Sequence, residues 1–533
     1  YDDGTKVSYR PPTYRYVSDT EKVIAKEETA PSISSLSGKG HRRRTNIEVG
    51  INYNRTFGDH AVTAMAVYTQ TKENTNAVLP RAFLGYAARA TYAYKSKYLA
   101  EVNLGYNGSD QFDEGHRYDF FPSFALGYVL SNEGFMQRSL PFITFMKLRA
   151  SYGEVGNDKI GGSRRFIYDA VYGTQGNVYQ FGTNGAYVNA IYLQELGNPN
   201  VSWEKSYKLN LGVELSLFNS IRLTADYFKD HRKGIFLRRD DMSSLFGMES
   251  NPYANVGEGI NRGVDMSLDV TRTFGKLKLS LRGNFTFNRS EMTNDAKPKW
   301  NYAYREWKGR PIEQQMGLIA EGLFTSQEEI DNSPKQEYGP VRVGDIRYRD
   351  LNGDGVINKN DITSIGRSRI PEIVYGFGAS VQWHNFDLSF LFQGVGNVTM
   401  QLSGYAMHPF SANQIASAGF FRDVYKNSWR LDNQNPNAEF PRNDTQSNTN
   451  NEQASTFWQR DASYLRLKNA TIGYTFPRTV TRKIRIENLR LYMSGVNLLT
   501  FSKFKMFDPE LGDGMGAGYP PTTVVNFGIN FNF

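Results

Sequence analysis

The chain closes on VVNFGINFNF, residues 524–533, and the alternation in that stretch decides how the rest is read. Val525, Phe527, Ile529, Phe531 and Phe533 are large and apolar, while Asn526, Gly528, Asn530 and Asn532 are small or polar. A period of two is the mark of a strand with one apolar and one wet face. Chain ends are ordinarily frayed and polar. An end this regular, finishing on a bare aromatic ring, reads as a strand whose apolar face has a partner other than water.

The same period recurs upstream. YKLNLGVELSL sets Tyr207, Leu209, Leu211, Val213, Leu215 and Leu217 against Lys208, Asn210, Gly212, Glu214 and Ser216. LKLSLRGNFTF, FDLSFLF and YLAEVNLGY repeat the device around residues 277–287, 386–392 and 98–106. About fourteen to sixteen segments of this kind can be counted, many of membrane-spanning length for a tilted strand. Composition agrees. The 533 residues include 33 tyrosines, 35 phenylalanines and 49 glycines, yet mean hydropathy is polar, as expected of many half-wet strands. No window carries the ~18 uncharged apolar residues of a membrane-crossing helix, whereas a crossing strand needs only about 9–11. The absence of cysteine rules out disulfides, thiolate metal sites and a cysteine nucleophile. The formal charge of +8 is slight for this length. The run His41-Arg42-Arg43-Arg44 stands without a basic stripe or a known module, so no nucleic-acid partner is expected.

The connections are lopsided. Gly58-Asp59, Lys95-Ser96-Lys97, Phe218-Asn219-Ser220, the Phe274-Gly275 corner and His384-Asn385 are turn residues at hairpin spacing. Long links are expected over 157–203, 230–259, 290–372 and 397–460. One end of the sheet is trimmed and the other carries excursions, the asymmetry of an outer-membrane barrel. A soluble sandwich would bury its apolar face on a second sheet and has no need of it.

Several blocks resemble one family, the SusC-like TonB-dependent transporters of the Bacteroidetes outer membrane (SusC/RagA). They are LRASYGEVGND (148–158), LGNPNVSWEKSYKLNLGVEL (196–215), GDIRYRDLNGDGVINKNDITSIGRSRIPEIVYGF (344–377), FWQRDASYLRLKNATIGYTFP (457–477), LYMSGVNLLTFSKFKMFDPE (491–510) and the final strand. The fold class implied is all-β, a transmembrane antiparallel barrel of twenty-two strands with long extracellular loops. Residues 1–533 would form its C-terminal part, with 290–372 a long extracellular loop. The chain opens Tyr1-Asp2-Asp3 without a leader and reads as a later part of a precursor or one piece of a split chain, lacking the plug and N-terminal extension. The resemblance implies multi-pass residence in the bacterial outer membrane, surrounded by lipid. It further implies import of oligosaccharide, or of oligopeptide, energised through the TonB complex by way of the missing plug. The implied partner is a SusD-like lipoprotein that acts as a lid, with two such pairs forming a dimer. No enzymatic activity is expected. The final strand then resembles the signal that barrel assembly reads. A secreted or surface β-rich adhesin is the alternative of another class.

One loop carries visible chemistry. DLNGDGVINKND, residues 350–361, fits a calcium-type loop: oxygen ligands Asp350, Asn352 and Asp354, glycine at Gly355, the backbone carbonyl of Val356, and the carboxylate of Asp361. Asn358 stands at the position that often acts through water. Aspartate at the twelfth position in place of glutamate weakens bidentate ligation, and any calcium would be structural. Without metal the same residues make an Asx-rich turn. Elsewhere, DPELGDGMGAGYPP (508–521) lacks the strand–turn–helix context of a phosphate cradle. The six histidines (41, 60, 116, 231, 384, 408) show no ligand spacing. Glu328-Glu329 and Asp240-Asp241 read as solvated loop charges. Trp300, Tyr302, Tyr304, Trp307 and Trp429 read as sugar contacts, loop anchors or interfacial aromatics.

Overall fold

The structure is a computed structural model that describes residues 42–533 except 76–78, 163, 181, 183–184, 186, 248–249, 405, 409–420, 444–446 and 513. His41 and Asp513 of the sequence motifs lie outside the described residues. Fifteen strands form one antiparallel sheet in which each pairs with its neighbours in the order of the chain. They are β1 (Arg42–Phe57), β2 (His60–Thr75), β3 (Arg81–Tyr94), β4 (Tyr98–Ser109), β5 (Tyr118–Val129), β6 (Ile143–Asn157), β7 (Glu204–Leu217) and β8 (Ile221–Arg238). The remainder are β9 (Tyr253–Phe274), β10 (Leu277–Asn294), β11 (Ile373–Trp383), β12 (Phe386–Gly396), β13 (Tyr464–Thr475), β14 (Asn488–Ser502) and β15 (Val524–Asn532). The outer edges of β1 and β15 have no strand partner among the described residues.

The turns explain the meander. Lys95 and Ser96 (φ +52° and +51°) and Phe218 and Asn219 (both +54°) place two successive residues in the left-handed region. That is the type I′ geometry whose twist matches the flanking strands. Gly58, Gly275 and His384 take φ of +58°, +57° and +53° in the other three tight hairpins. All five expected tight turns lie at one end of the sheet. The opposite end carries 158–203, 295–372, 397–463 and 503–523. The expected link at 230–259 is corrected: β8 runs to Arg238 and β9 starts at Tyr253, so only 239–252 is loop.

One face of the sheet is apolar and bare. Ile51 is 74% exposed and Phe527 80%, and Leu104, Phe124, Leu148, Met266, Leu388 and Ile472 join them. An apolar patch this extensive is not stable in water; it is the lipid face of a transmembrane strand array. Aromatic rings bound it. At the short-turn end lie Tyr94, Tyr98 and Tyr128 in stacked succession, Phe142 on Phe218, Trp383 and Phe386, and Phe531 against Phe533. Toward the loop end, Tyr68, Tyr86, Tyr106 and Phe120 form one cross-strand row. Tyr86 and Tyr94 are separated by about 27 Å along the strand, or about 20 Å of depth at a tilt of about 40°. That is close to the apolar band of an outer-membrane barrel.

The buried core sits in the loops. Leu318, Ile346, Tyr348, Ile357, Met400, Leu402, Phe440 and Trp458 pack as one cluster drawn from 295–372 and 397–463, with Phe504 from the last loop. Short pairings inside these loops hold them in register: Ala320–Leu323 with Ile346–Tyr348, Lys335–Gln336 with Val356–Ile357, and Thr399–Gln401 with Gln459–Asp461. A smaller cluster of Phe112, Phe121, Ile160, Ile167, Val201 and Trp203 supports the 158–203 loop.

Candidate functional site

Opposite the lipid face, the alternate residues make a wall of paired charges. Arg89 bonds Glu101 between β3 and β4 at 2.8 Å, and Arg282 bonds Asp269 between β9 and β10 at 3.2 Å. Two pairs reach further. Arg149 on β6 and Asp226 on β8 meet at 2.5 Å across β7, because the residue in register between them is Gly212. A Cβ there would overlap both Asp226 Oδ1 and Arg149 Nε. Arg490 on β14 and Asp387 on β12 meet in the same way, at 2.5 and 2.9 Å, across Gly473 on β13. Small residues thus let charged side chains lie flat on the wall and leave the space in front of it open.

A cleft of about 250 Å³ opens where this wall meets the base of the 295–372 loop. Asp230 and Arg232 of β8, Asn261 of β9 and Asn288 of β10 form its floor, and Ile312 and Ile370 its sides. Arg289 clamps Glu372 at 2.8 and 2.9 Å and holds its carboxyl below the usual range. That pair fixes the end of the loop to β10.

The loops 295–372, 397–463 and 503–523 form a canopy over this end of the sheet, tied to the wall and to itself. Arg466 of β13, with a side chain 1% exposed, bonds Asp508 at 2.5 and 2.6 Å and Glu510 at 2.7 Å. Inside the canopy the segment 448–451 carries two buried asparagines, Asn450 and Asn451. Asn448 and Asn451 donate to Asp345 Oδ1 at 2.9 Å each, and the Arg342 amide donates to Oδ2 at 2.8 Å. Gln336 donates to Asn450 Oδ1 at 2.8 Å, and Tyr348 to the Asn450 carbonyl at 2.8 Å. Burial pushes the Asp345 carboxyl up. His408 packs edge-on against Trp458, and burial pushes it down to about 4.

The calcium-type loop is closed by its own amides. Asp350 accepts from Gly353 and Gly355 at 2.7 and 2.8 Å, Asp354 from Val356 at 2.9 Å, and the fully buried Asp361 from Leu351 and Asn358 at 2.8 Å each. Asn352 donates to Tyr302 Oη at 3.2 Å, and Asn358 caps the turn that contains Asp361. Gly353 and Gly355 take φ of +73° and +82°. The all-oxygen donor set fits a hard cation. In this geometry no group of three or more His, Cys, Asp or Glu side chains among the described residues gathers around one point.

The remaining aromatic candidates have partners within the loops. Trp429 is buried beneath Gly344, where φ of +94° and the indole leave no room for a Cβ. Tyr302 and Tyr304 stack, Tyr304 donating to the Asn360 carbonyl at 2.7 Å. Trp300 and Trp307 lie under Arg305 and Lys297. Of the paired acids, Glu328 is exposed, Asp240 and Asp241 form solvent-exposed pairs with Arg238 and Arg239, and Glu329 pairs with Arg347. Sequence reasoning missed the cleft, the Arg466 tie and the asparagine network. The one available signal was NTNN at 448–451, whose amides are the donors and acceptors a buried turn needs.

The family model described as TonB dependent receptor-like, beta-barrel, matches residues 2–498. TonB-dependent receptor P26 of Formosa agariphila is 30% identical over 479 residues, 84% of this chain and 45% of that protein. TonB-dependent receptor SusC of Bacteroides thetaiotaomicron is 24% identical over 495 residues, 87% of this chain and 45% of that protein. The solved RagAB peptide transporter is similar in fold, with a TM-score of 0.69 at 22% identity over 93% of this chain and 56% of that one. The chain spans about half the length of the curated relatives it matches.

Proposed function

The chain belongs to the TonB-dependent receptor-like β-barrel family of the bacterial outer membrane, and from that premise we propose that it is wall and canopy of an energy-coupled importer. The observation that carries this reading is the pairing of a lipid-facing strand array with a large folded canopy at one end only. Such a canopy is a receptor surface. Cargo is captured there and passes along the charged wall when an energised plug rearranges, the energy arriving through TonB. The canopy and the 239–252 loop expose Leu431, Leu245 and Phe246 to solvent, a seat for a SusD-like lipoprotein lid, and two such pairs associate through their barrels.

The family resemblance supports an oligosaccharide as cargo. The cleft favours a second reading, an oligopeptide, since among the described residues its lining is aliphatic, amide and charged, with no aromatic ring to stack on a sugar. Calcium at Asp350, Asn352, Asp354, Val356 and Asp361 is proposed as a structural ligand of the canopy, with no part in transport. Uptake of labelled cargo by cells with and without TonB, alongside recovery of partners from detergent-solubilised outer membranes, tests the importer. Uptake that stops without TonB supports it. A protein found soluble without detergent and alone would instead be the surface adhesin.

A further inference from the structure

Of the charges that line the cleft, all but one are spoken for. Asp230 is held by Ser206 and Lys208, Glu313 by Arg369, and Glu372 by Arg289 and Asn397. Arg232 is exposed, with no ion pair or hydrogen bond from its guanidinium among the described residues. Two carboxamide oxygens in the same floor, Asn261 Oδ1 and Asn288 Oδ1, are shut in without any partner. Enclosed acceptors that lack donors are rare, and they call for a ligand or a role. Neither oxygen gives up a hydrogen bond if its amide turns about χ2.

The register orders these groups. Asn288 lies in the cross-strand row of Gly263 and Phe228, Asn261 in the next row with Asp230, and Arg232 in the row after with Gly259. Successive rows are two residues apart, about 7 Å along the strands, and each group stands one strand further over, about 4.8 Å to the side. The three therefore run diagonally across the floor, about 8 Å from one to the next, within reach of successive same-side N–H groups of an extended chain. Gly259 keeps the floor open beside Arg232: a Cβ there would meet only Ile312 and Ile235 as side-chain neighbours, at 3.8 and 3.9 Å.

We propose that this cleft binds the C-terminal end of a short aliphatic peptide in extended form. Two main-chain N–H groups bond Asn261 and Asn288, and the terminal carboxylate bonds Arg232. The aliphatic side chains lie among Ile235, Ile312 and Ile370. Arg232 supplies the planar fork that carboxylates favour. The site rests on the importer reading, with an oligopeptide as cargo.

The test uses the full-length protein with its native partners in detergent and reads fluorescence anisotropy. The probes are fluorescein-labelled Gly-Ala-Val-Ala-Leu with a free carboxylate, its C-terminal amide, and labelled maltopentaose. The free acid is expected to bind about tenfold tighter than the amide. Arg232→Gln erases that ratio while keeping the heat-modifiable gel shift of a folded barrel. Asn261→Leu and Asn288→Leu weaken both peptides several-fold and leave the ratio intact, and none of the three changes maltopentaose binding. Equal affinity for acid and amide in the wild type, or a ratio that survives Arg232→Gln, overturns the site. TonB-dependent uptake that persists alongside such a result leaves the importer standing. Uptake that proceeds without TonB removes the importer reading, and the acid-to-amide ratio then judges the cleft by itself.

Discussion

Replacing Arg466 with methionine isolates the contact that ties the last long loop to the sheet. The guanidinium reaches both Asp508 oxygens and one Glu510 oxygen from a side chain 1% exposed. Methionine keeps much of the buried volume but leaves two adjacent carboxylates with only Lys468, 3.6 Å from Glu510. Removing one member of a buried ion pair costs about 3–5 kcal/mol. Asp508 and Glu510 are 17% and 31% exposed, so water recovers part of that loss and about 3 kcal/mol is expected. At about 1.4 kcal/mol per tenfold, the open population of 503–523 rises by about a hundredfold. Trypsin reads this at Lys503 and Lys505, because cleavage tracks the open population when reclosing is fast. Arg466→Lys restores one charge without the fork and should fall between the two. Cleavage of Arg466→Met within about twofold of wild type, with the heat-modifiable shift intact, would refute the argument.

The canopy should loosen as pH falls. A histidine held near 4 in the fold against about 6.5 unfolded leaves stability whole above pH 6.5 and lost toward pH 4, by up to about 3 kcal/mol. His408→Phe should flatten that loss in an acid-pH proteolysis series. Asp345 acts with the opposite sign, since burial raises its carboxyl and protonation relieves the penalty. Glu329, Glu372 and Asp461 are held below the usual carboxylate range and add to the acid loss. The histidine variant should therefore lose less resistance than the wild type between about pH 6.5 and 4; an unchanged profile would remove His408 as the cause. Gly212→Val and Gly473→Val should each cost about 1–2 kcal/mol by parting the pairs they pass beneath, lowering the temperature of the gel shift. An unshifted temperature would show that the pairs contribute nothing to stability. Millimolar calcium should slow cleavage at Lys359 several-fold, chelation should reverse this, and Asp350→Ala should abolish it. Identical cleavage with and without calcium would assign the loop's order to its amides alone.

The strands were legible because a half-lipid, half-wet strand must alternate, and 207–217 and 525–533 do so without a break. The tight turns were legible because each announces itself in two or three residues. The 230–259 link was misread for a local reason. Gly234, at φ +65°, inserts a bulge that shifts the register between Lys233 and Ile235, which flips the phase of the pattern midway along β8. The canopy core escaped because Leu318 and Ile346 come from one loop and Met400 and Trp458 from another, far apart within each, and no period links them. The calcium-type loop was visible as chemistry, since glycine and oxygen spacing is local. Its fully buried Asp361 was not, because burial there depends on the rest of the canopy. The cleft was hidden for a related reason. Its floor is one residue or two from each of three strands, meaningful only once the register is known.

The glycine crossings also act as a proofreader of pairing. A one-residue slip of β7 against β6 and β8 would bring Leu211 or Val213 beneath the Arg149–Asp226 contact and turn a polar position toward lipid. The electrostatic tie and the apolar face therefore fail together. A misaligned hairpin loses both at once, and the array is corrected toward a single alignment while it is still being built.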